Sequence, residues 1–276
     1  MLYPFAYVAP ATKGELLRAL DAEGGQARLL AGGTDLLVGL RQGHSVPKRV
    51  LDLKRAAGFP RICFDPQEGL RIGPAVTCAE LLESAVVREH YPVLATAAAH
   101  LGSPQLRNRA TVAGNLCTAS PCADMATALL AHGAAVAIES HRGTRVLPLA
   151  ELFVGVKKTA LEPDELLGAI IVPAAQAGAR GGMEKLKRVK GHDLALCSVA
   201  LVCKAGRLRV AVGACAPTPV VTAELPASSA VEDVVAAARA VIRPIDDLRA
   251  SAAYREFMVG TFVERLMRAA SAEGRA

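Results

Sequence analysis

The chain has 276 residues, with 32 Lys and Arg against 26 Asp and Glu, giving a formal charge of +6. Hydrophobic residues make up 52% and aromatics 4%, with no Trp, which predicts two or three packed units with aliphatic cores. No apolar run reaches the ~18–20 residues of a membrane span, no basic-then-apolar leader is visible, and seven scattered cysteines suit free thiols in a reducing cytoplasm better than a disulfide frame.

Residues 1–57 read as a small α/β unit. Thr12 and Glu15 form a capping box, and Leu16, Leu17 and Leu20 give the helix a buried face. Leu29 and Leu30 form a short strand that runs into Ala31, Gly32, Gly33, Thr34 and Asp35. Leu36 to Leu40 looks helical, and Val50 to Leu53 is a second strand. Successive N–H groups in such a double-glycine turn form an anion-binding concavity suited to a pyrophosphate. The three-glycine spacing of a Rossmann unit is absent, as is the Gly-Lys-Ser/Thr ending of a phosphate-binding loop.

Residues 58–175 read as a second α/β unit. Ile62–Phe64 and Leu70–Ile72 are a strand pair, Thr77 and Glu80 repeat the capping box, and an apolar helix runs from Pro92 to Leu101. Thr111 to Asp124 is a stretch of small residues, hydroxyls, one amide and one carboxylate. It reads either as a polar loop around a large, hydrogen-bond-rich ligand or as a Gly/Ser surface turn. A helix over Met125–His132 and strands at Ala134–Glu139, Thr144–Leu147 and Glu165–Val172 complete the unit.

Ala174 to Gly182 is a plausible linker. The third unit, residues 176–276, reads as a three-stranded antiparallel sheet (Met183–Lys190, Leu196–Cys203, Leu208–Cys215) with helices over Val231–Val241 and Tyr254–Ala270. Between Arg180 and Arg209 stand eight Lys or Arg and two acids. Such a segment is either a solvated face or a surface for an anionic cofactor or acidic partner. Without interleaved aromatics it does not read as a nucleic-acid site.

Four motifs in order, Ala31–Asp35, Thr111–Asp124, Lys185–Asp193 and Asp246–Arg255, resemble the flavin-binding medium subunit of the molybdenum hydroxylases. That family includes xanthine dehydrogenase and carbon monoxide dehydrogenase. The resemblance covers nearly the whole chain. It implies an α+β fold: a two-part FAD-binding α/β domain (PCMH-type, vanillyl-alcohol-oxidase-like superfamily) over residues 1–175, then a C-terminal antiparallel sheet with helices over 176–276.

The resemblance also implies site residues. Leu29, Leu30, Ala31, Gly32, Gly33, Thr34 and Asp35 would line the pyrophosphate of a non-covalently held FAD, with Arg28 neutralising phosphate. Thr111, Val112, Ala113, Gly114 and Asn115 would continue the cradle, with the Thr118 and Ser120 hydroxyls nearby. Asp124 would bond a ribose or ribityl hydroxyl, and Leu101 stands where some relatives carry an aromatic. Leu167 would pack on a ring, and Lys185 would be the cation near the isoalloxazine. Asp35 equally fits a helix cap and Leu167 ordinary strand core.

No catalytic nucleophile–base pair and no metal-ligand set is expected on this chain, and Cys117 and Cys122 read as free thiols. Implied partners are a large molybdenum-binding subunit and a small subunit with iron–sulfur clusters. The implied electron acceptor is NAD, a quinone or another species. The competing readings are a stand-alone flavin oxidoreductase of the same superfamily and a flavin-free scaffold subunit.

Overall fold

The computed structural model describes residues 3–272. Its first sheet is parallel: β1 (Ala6–Val8) and β2 (Ala27–Leu30) flank β3 (Arg49–Asp52). Parallel neighbours require crossovers, here the Lys13–Ala22 and Leu36–Arg41 helices. Strand β1 goes beyond the expected elements. Thr12 caps the first helix by accepting from the Glu15 N–H at 3.2 Å. The Glu15 carboxylate reaches one residue further back than a capping box requires, accepting from the Ala11 N–H at 2.9 Å.

The second sheet is antiparallel. Its strands are β4 (Ile62–Asp65), β5 (Gly69–Ile72), β6 (Ala135–Ser140), β7 (Gly143–Pro148) and β10 (Leu166–Val172), in the order β4-β5-β10-β6-β7. A two-stranded hairpin, β8 (Phe153–Gly155) and β9 (Lys158–Thr159), leaves the sheet between β7 and β10. The Thr77–Glu80 capping box forms in full. Behind this sheet the helix Asp124–Ala131 is buried at every residue, which its all-round apolar sequence dictates.

The third sheet pairs β11 (Arg180–Leu186), β12 (Cys197–Lys204) and β13 (Arg207–Gly213) antiparallel; β14 (Val220–Val221) and β15 (Leu225–Pro226) add to β13. Residues alternate along β12. Cys197, Val199 and Leu201 face the helices Val231–Val241 and Ala252–Ala272, whereas Ala200 and Val202 join the core of the second unit. The sheet is thus the wall between its own helices and the buried Asp124–Ala131 helix. Arg255, fully buried, ties this layer together: it donates to the Leu196 and Ala214 carbonyls and to Asp247. Hydrogen bonds from Arg249 above all hold the Asp247 carboxyl well below the usual carboxylate range.

Candidate functional site

A cleft of about 820 Å³ runs where the three units meet, within the usual size of ligand sites of roughly 300–1,000 Å³. One wall is the turn after β2. Gly33 takes a left-handed φ of +78° there, which a side chain would strain. Gly32 is fixed by packing: a Cβ at this position would lie 2.0 Å from the Arg109 carbonyl oxygen. The amides of Gly32, Gly33, Thr34 and Asp35 have no protein acceptor among the described residues. Four consecutive unpartnered N–H groups make an anion-binding concavity.

The facing wall departs from the sequence reading. Residues Val112–Cys117 are helical and not a loop, because the Thr111 hydroxyl accepts from the Gly114 N–H at 3.0 Å and caps them. Asn115 Oδ1 accepts from the Met125 N–H at 3.2 Å, which ties this helix to the buried one. The Thr118 hydroxyl lies 2.9 Å from the Gly114 carbonyl and 3.2 Å from Asp35 Oδ2, so it joins the two walls. Asp35 makes no side-chain cap on the helix that follows.

The turn at Ala119–Pro121 is clamped from outside. The Ala119 carbonyl accepts from the Lys157 N–H (2.9 Å), and the Pro121 carbonyl accepts from the Ala214 N–H (2.7 Å). Ala119, Lys157 and Ala214 are three of four described non-glycine residues with left-handed φ. Such backbone persists only where the surroundings over-determine it.

At the third-unit end, Lys185 Nζ donates to Asp124 Oδ2 at 2.7 Å and to the His100 carbonyl at 3.2 Å. The side chains are 2% and 8% exposed. Burial raises the Asp124 carboxyl above its ordinary value, with the Lys185 charge pulling it back. Asp124 Oδ1 is buried and has no hydrogen-bond partner, an acceptor left over for a ligand. Lys185 is therefore neutralised by Asp124, and its field on a ligand is that of a close pair and not of a lone cation.

The cleft gathers Arg28, Leu29, Ala31, Gly32, Gly33, Thr34, Asp35, Leu101, Thr111, Gly114, Asn115, Thr118, Ser120, Asp124 and Lys185. It leaves out Leu30, Val112, Ala113 and Leu167. Leu30 is half-buried beside Gly33, and the other three are core side chains of the second unit. Ser45, Gly102, Cys117, Cys122, Lys157 and Leu194 also line it. Cys117 and Cys122 lie within the Thr111–Asp124 stretch, where they read as free thiols; Ser45, Gly102, Lys157 and Leu194 lie outside the motifs and arrive by tertiary contact. Asp193 fixes the turn before β12, accepting from the Arg188 and Leu194 N–H groups at 3.2 and 2.9 Å.

Unpartnered amides for phosphate, hydroxyls and an amide along the walls, and a buried carboxylate oxygen in want of a donor fit a large dinucleotide. The class so defined is a dinucleotide-binding protein. Comparison with known proteins makes it specific. Residues 3–175 match the model of the FAD-binding domain in molybdopterin dehydrogenases, and residues 183–270 that of the carbon monoxide dehydrogenase flavoprotein C-terminal domain. The chain belongs to this family, the FAD-binding medium subunits of the molybdenum hydroxylases.

The carbon monoxide dehydrogenase medium chain of Hydrogenophaga pseudoflava is 32% identical, covering 96% of each chain. The xanthine dehydrogenase FAD-binding subunit of Escherichia coli O157:H7 is 34% identical over 79% of this chain and 77% of its own. Among solved structures, carbon monoxide dehydrogenase from Hydrogenophaga pseudoflava superposes with a TM-score of 0.87 at 32% identity, over 99% of both chains. The enzyme from Oligotropha carboxidovorans gives 0.90 at 28%, again over 99% of both. The chain is accordingly an oxidoreductase subunit with FAD as its cofactor.

Proposed function

We propose that this chain is the electron-exit subunit of a hetero-oligomeric molybdenum hydroxylase. It would receive electrons from a small iron–sulfur subunit, while substrate is oxidised on a large molybdenum subunit, and pass them to NAD, a quinone or another acceptor. The observation that carries this reading is the character of the cleft. It holds unpartnered donors for phosphate and one balanced ion pair.

Bound FAD supplies the redox chemistry. The chain's residues do the rest. The amides of Gly32 to Asp35 would take the pyrophosphate, and Asp124 Oδ1 would accept from a polyol hydroxyl. Lys185 holds the Asp124 carboxyl in place through its 2.7 Å hydrogen bond. Leu194, exposed at the cleft and carried on the turn before β12, would keep water from the cofactor's rim.

An exposed apolar run supports a subunit role. Ile245, Leu248, Tyr254 and Phe257 stand in solvent around the start of the last helix, as a surface does that a partner covers. All seven cysteines are unpaired, which suits a reducing compartment.

Purification from the native source tests the proposal. The expected result is a complex with a large molybdenum chain and a small iron–sulfur chain, whose flavin is released by acid precipitation. Recovery of this chain alone as an active dehydrogenase would overturn the assembly reading. Colour retained in the acid pellet would overturn non-covalent binding.

A further inference from the structure

Two elements from different units flank the third-unit end of the cleft. One is the hairpin β8–β9, whose Lys157 lines it. The other is the turn between β11 and β12, whose His192 and Leu194 line it. Lys157 and Lys158 stand exposed on the hairpin, as Arg188 and Lys190 do on the turn. Asp193, the one acid of the turn, is matched by Arg188, and Lys187 donates to the Lys190 and Gly191 carbonyls. Lys157, Lys158, Lys187 and Lys190 form no ion pair among the described residues. Their field at the mouth of the cleft reaches about 10 Å into solution at ordinary ionic strength.

Apolar side chains are set among these cations. Val154 and Val156 on the hairpin are 62% and 52% exposed, and Val189 on the turn is 56% exposed. A merely solvated basic face has no use for branched apolar groups, whereas apolar contacts inside a charged rim are the make-up of a protein interface steered by charge. The surface around Ile245, Leu248, Tyr254 and Phe257 is of another kind. Its large exposed side chains are aliphatic and aromatic, and its Asp247 is taken up by Arg249 and Arg255. That composition suits a permanent subunit contact. An electron-exit subunit needs both kinds of surface, one for a partner that stays and one for a partner that leaves with the electrons.

We propose that the hairpin and the turn together form the docking surface for the electron acceptor, and that this acceptor is an acidic one-electron carrier protein. The inference rests on the electron-exit reading and names the class of acceptor. A free dinucleotide or quinone takes its affinity from a concave pocket. These cations and valines are exposed on two separate elements and answer instead to an extended acidic face with an apolar centre. Each two-electron substrate oxidation would reduce two carriers by one electron each and release two protons to water. The lysines hold the carrier against the mouth of the cleft and take no part in the transfer itself.

The test uses the holo-complex, reduced anaerobically with dithionite and mixed rapidly with one of four oxidants: basic cytochrome c, the same cytochrome made acidic by succinylation of its lysines, NAD or p-benzoquinone. The two cytochromes share a haem and differ in charge. At low ionic strength the succinylated form should be reduced at least about tenfold faster than the basic one, and the difference should vanish at high salt. Lys158→Glu combined with Lys190→Glu should slow the succinylated form about tenfold. Flavin content, flavin spectrum and the rate with p-benzoquinone should stay within about twofold, since neither side chain serves the cofactor. Equal rates for the two cytochromes, a rate indifferent to salt, or a double variant as fast as its parent overturns the proposal. So does NAD oxidising the reduced complex faster than either cytochrome, or loss of flavin from the double variant. The quinone separates the two readings: a reduced complex that fails to reduce it overturns electron exit itself, whereas reduction of the quinone with no preference for the acidic cytochrome overturns only the docking surface.

Discussion

At the Gly32–Asp35 end of the cleft, the groups offered to a ligand are backbone amides on a turn whose shape is set by its packing. At the other end they are two side chains, Asp124 and Lys185, shut away from water against each other. No substitution except proline removes the donors of the amide end; any other can only push it out of shape. The ion-pair end can lose either member, and the survivor is then a buried, uncompensated charge. One site thus combines a part that fails by geometry with a part that fails by electrostatics.

The most severe change is Lys185→Met. It leaves the Asp124 carboxylate buried without a counter-charge, and the flavin-free chain should lose about 3–5 kcal/mol in denaturant unfolding. Adding Asp124→Leu should restore much of that stability while FAD affinity stays lost. Recovery of both together would mean that the carboxylate has no part in binding.

Gly32→Ala attacks the other end. With the Arg109 carbonyl 2.0 Å from the new Cβ, the turn and the second unit must separate, at a cost of about 3 kcal/mol. FAD binding should fall with it, although the substituted atom faces protein and not ligand. A variant that melts normally yet binds no FAD would instead place the glycine against the cofactor.

Acidification separates the two buried titratable groups of the second unit, Asp124 and His132. The Asp124 carboxyl is raised in the fold, so its contribution to stability is fully present below its unfolded value and is lost as pH rises through the folded value. It gives no acid lability. His132 does. It is fully buried, neither ring nitrogen has a partner, and burial first, then the Arg209 charge, lowers it from 6.5 to about 3. Its contribution is present above the unfolded value near 6.5 and is lost as pH falls toward 3. His132→Leu should therefore recover about 2 kcal/mol at pH 5 relative to pH 7.5, read from melting temperatures at the two pH values. An unchanged slope would place the acid sensitivity elsewhere.

The mildest change is Thr118→Val, which removes the hydroxyl that joins the two walls. About 1 kcal/mol of stability and a few-fold of FAD affinity should go. A loss in affinity with no loss in stability would show the hydroxyl acting on the cofactor directly.

Much of this architecture is legible in the chain. The alternation in β12 and β13, the cap at Thr77 and the turn at Lys204–Arg207 depend on neighbours within a few residues, and the hairpin register pairs Lys204 with Arg207. The Ala31–Asp35 and Thr111–Asp124 motifs were recognisable because their residue types are unusual in combination. The helix at Val112–Cys117 has little signature in the chain. Gly, Asn and Thr are weak helix formers, and six residues supply no hydrophobic period to read. The second sheet read as part of an α/β unit, since nothing local says which strand β10 pairs with.

Short-range chemistry sets the local elements, the aliphatic cores, and the two polar turns with their family likeness. What each polar group does there follows from the packing of distant segments. It buried Leu167 in the core, matched Lys185 with Asp124, and turned Asp35 from helix cap to acceptor for Thr118. It also set Gly32 against a carbonyl oxygen from the second unit and left Ser45 unpartnered on the cleft wall. The physical reason is range. Secondary structure follows from periodicities and caps spanning a few residues, whereas burial, pairing and unsatisfied hydrogen-bonding groups depend on contacts between segments far apart in the chain.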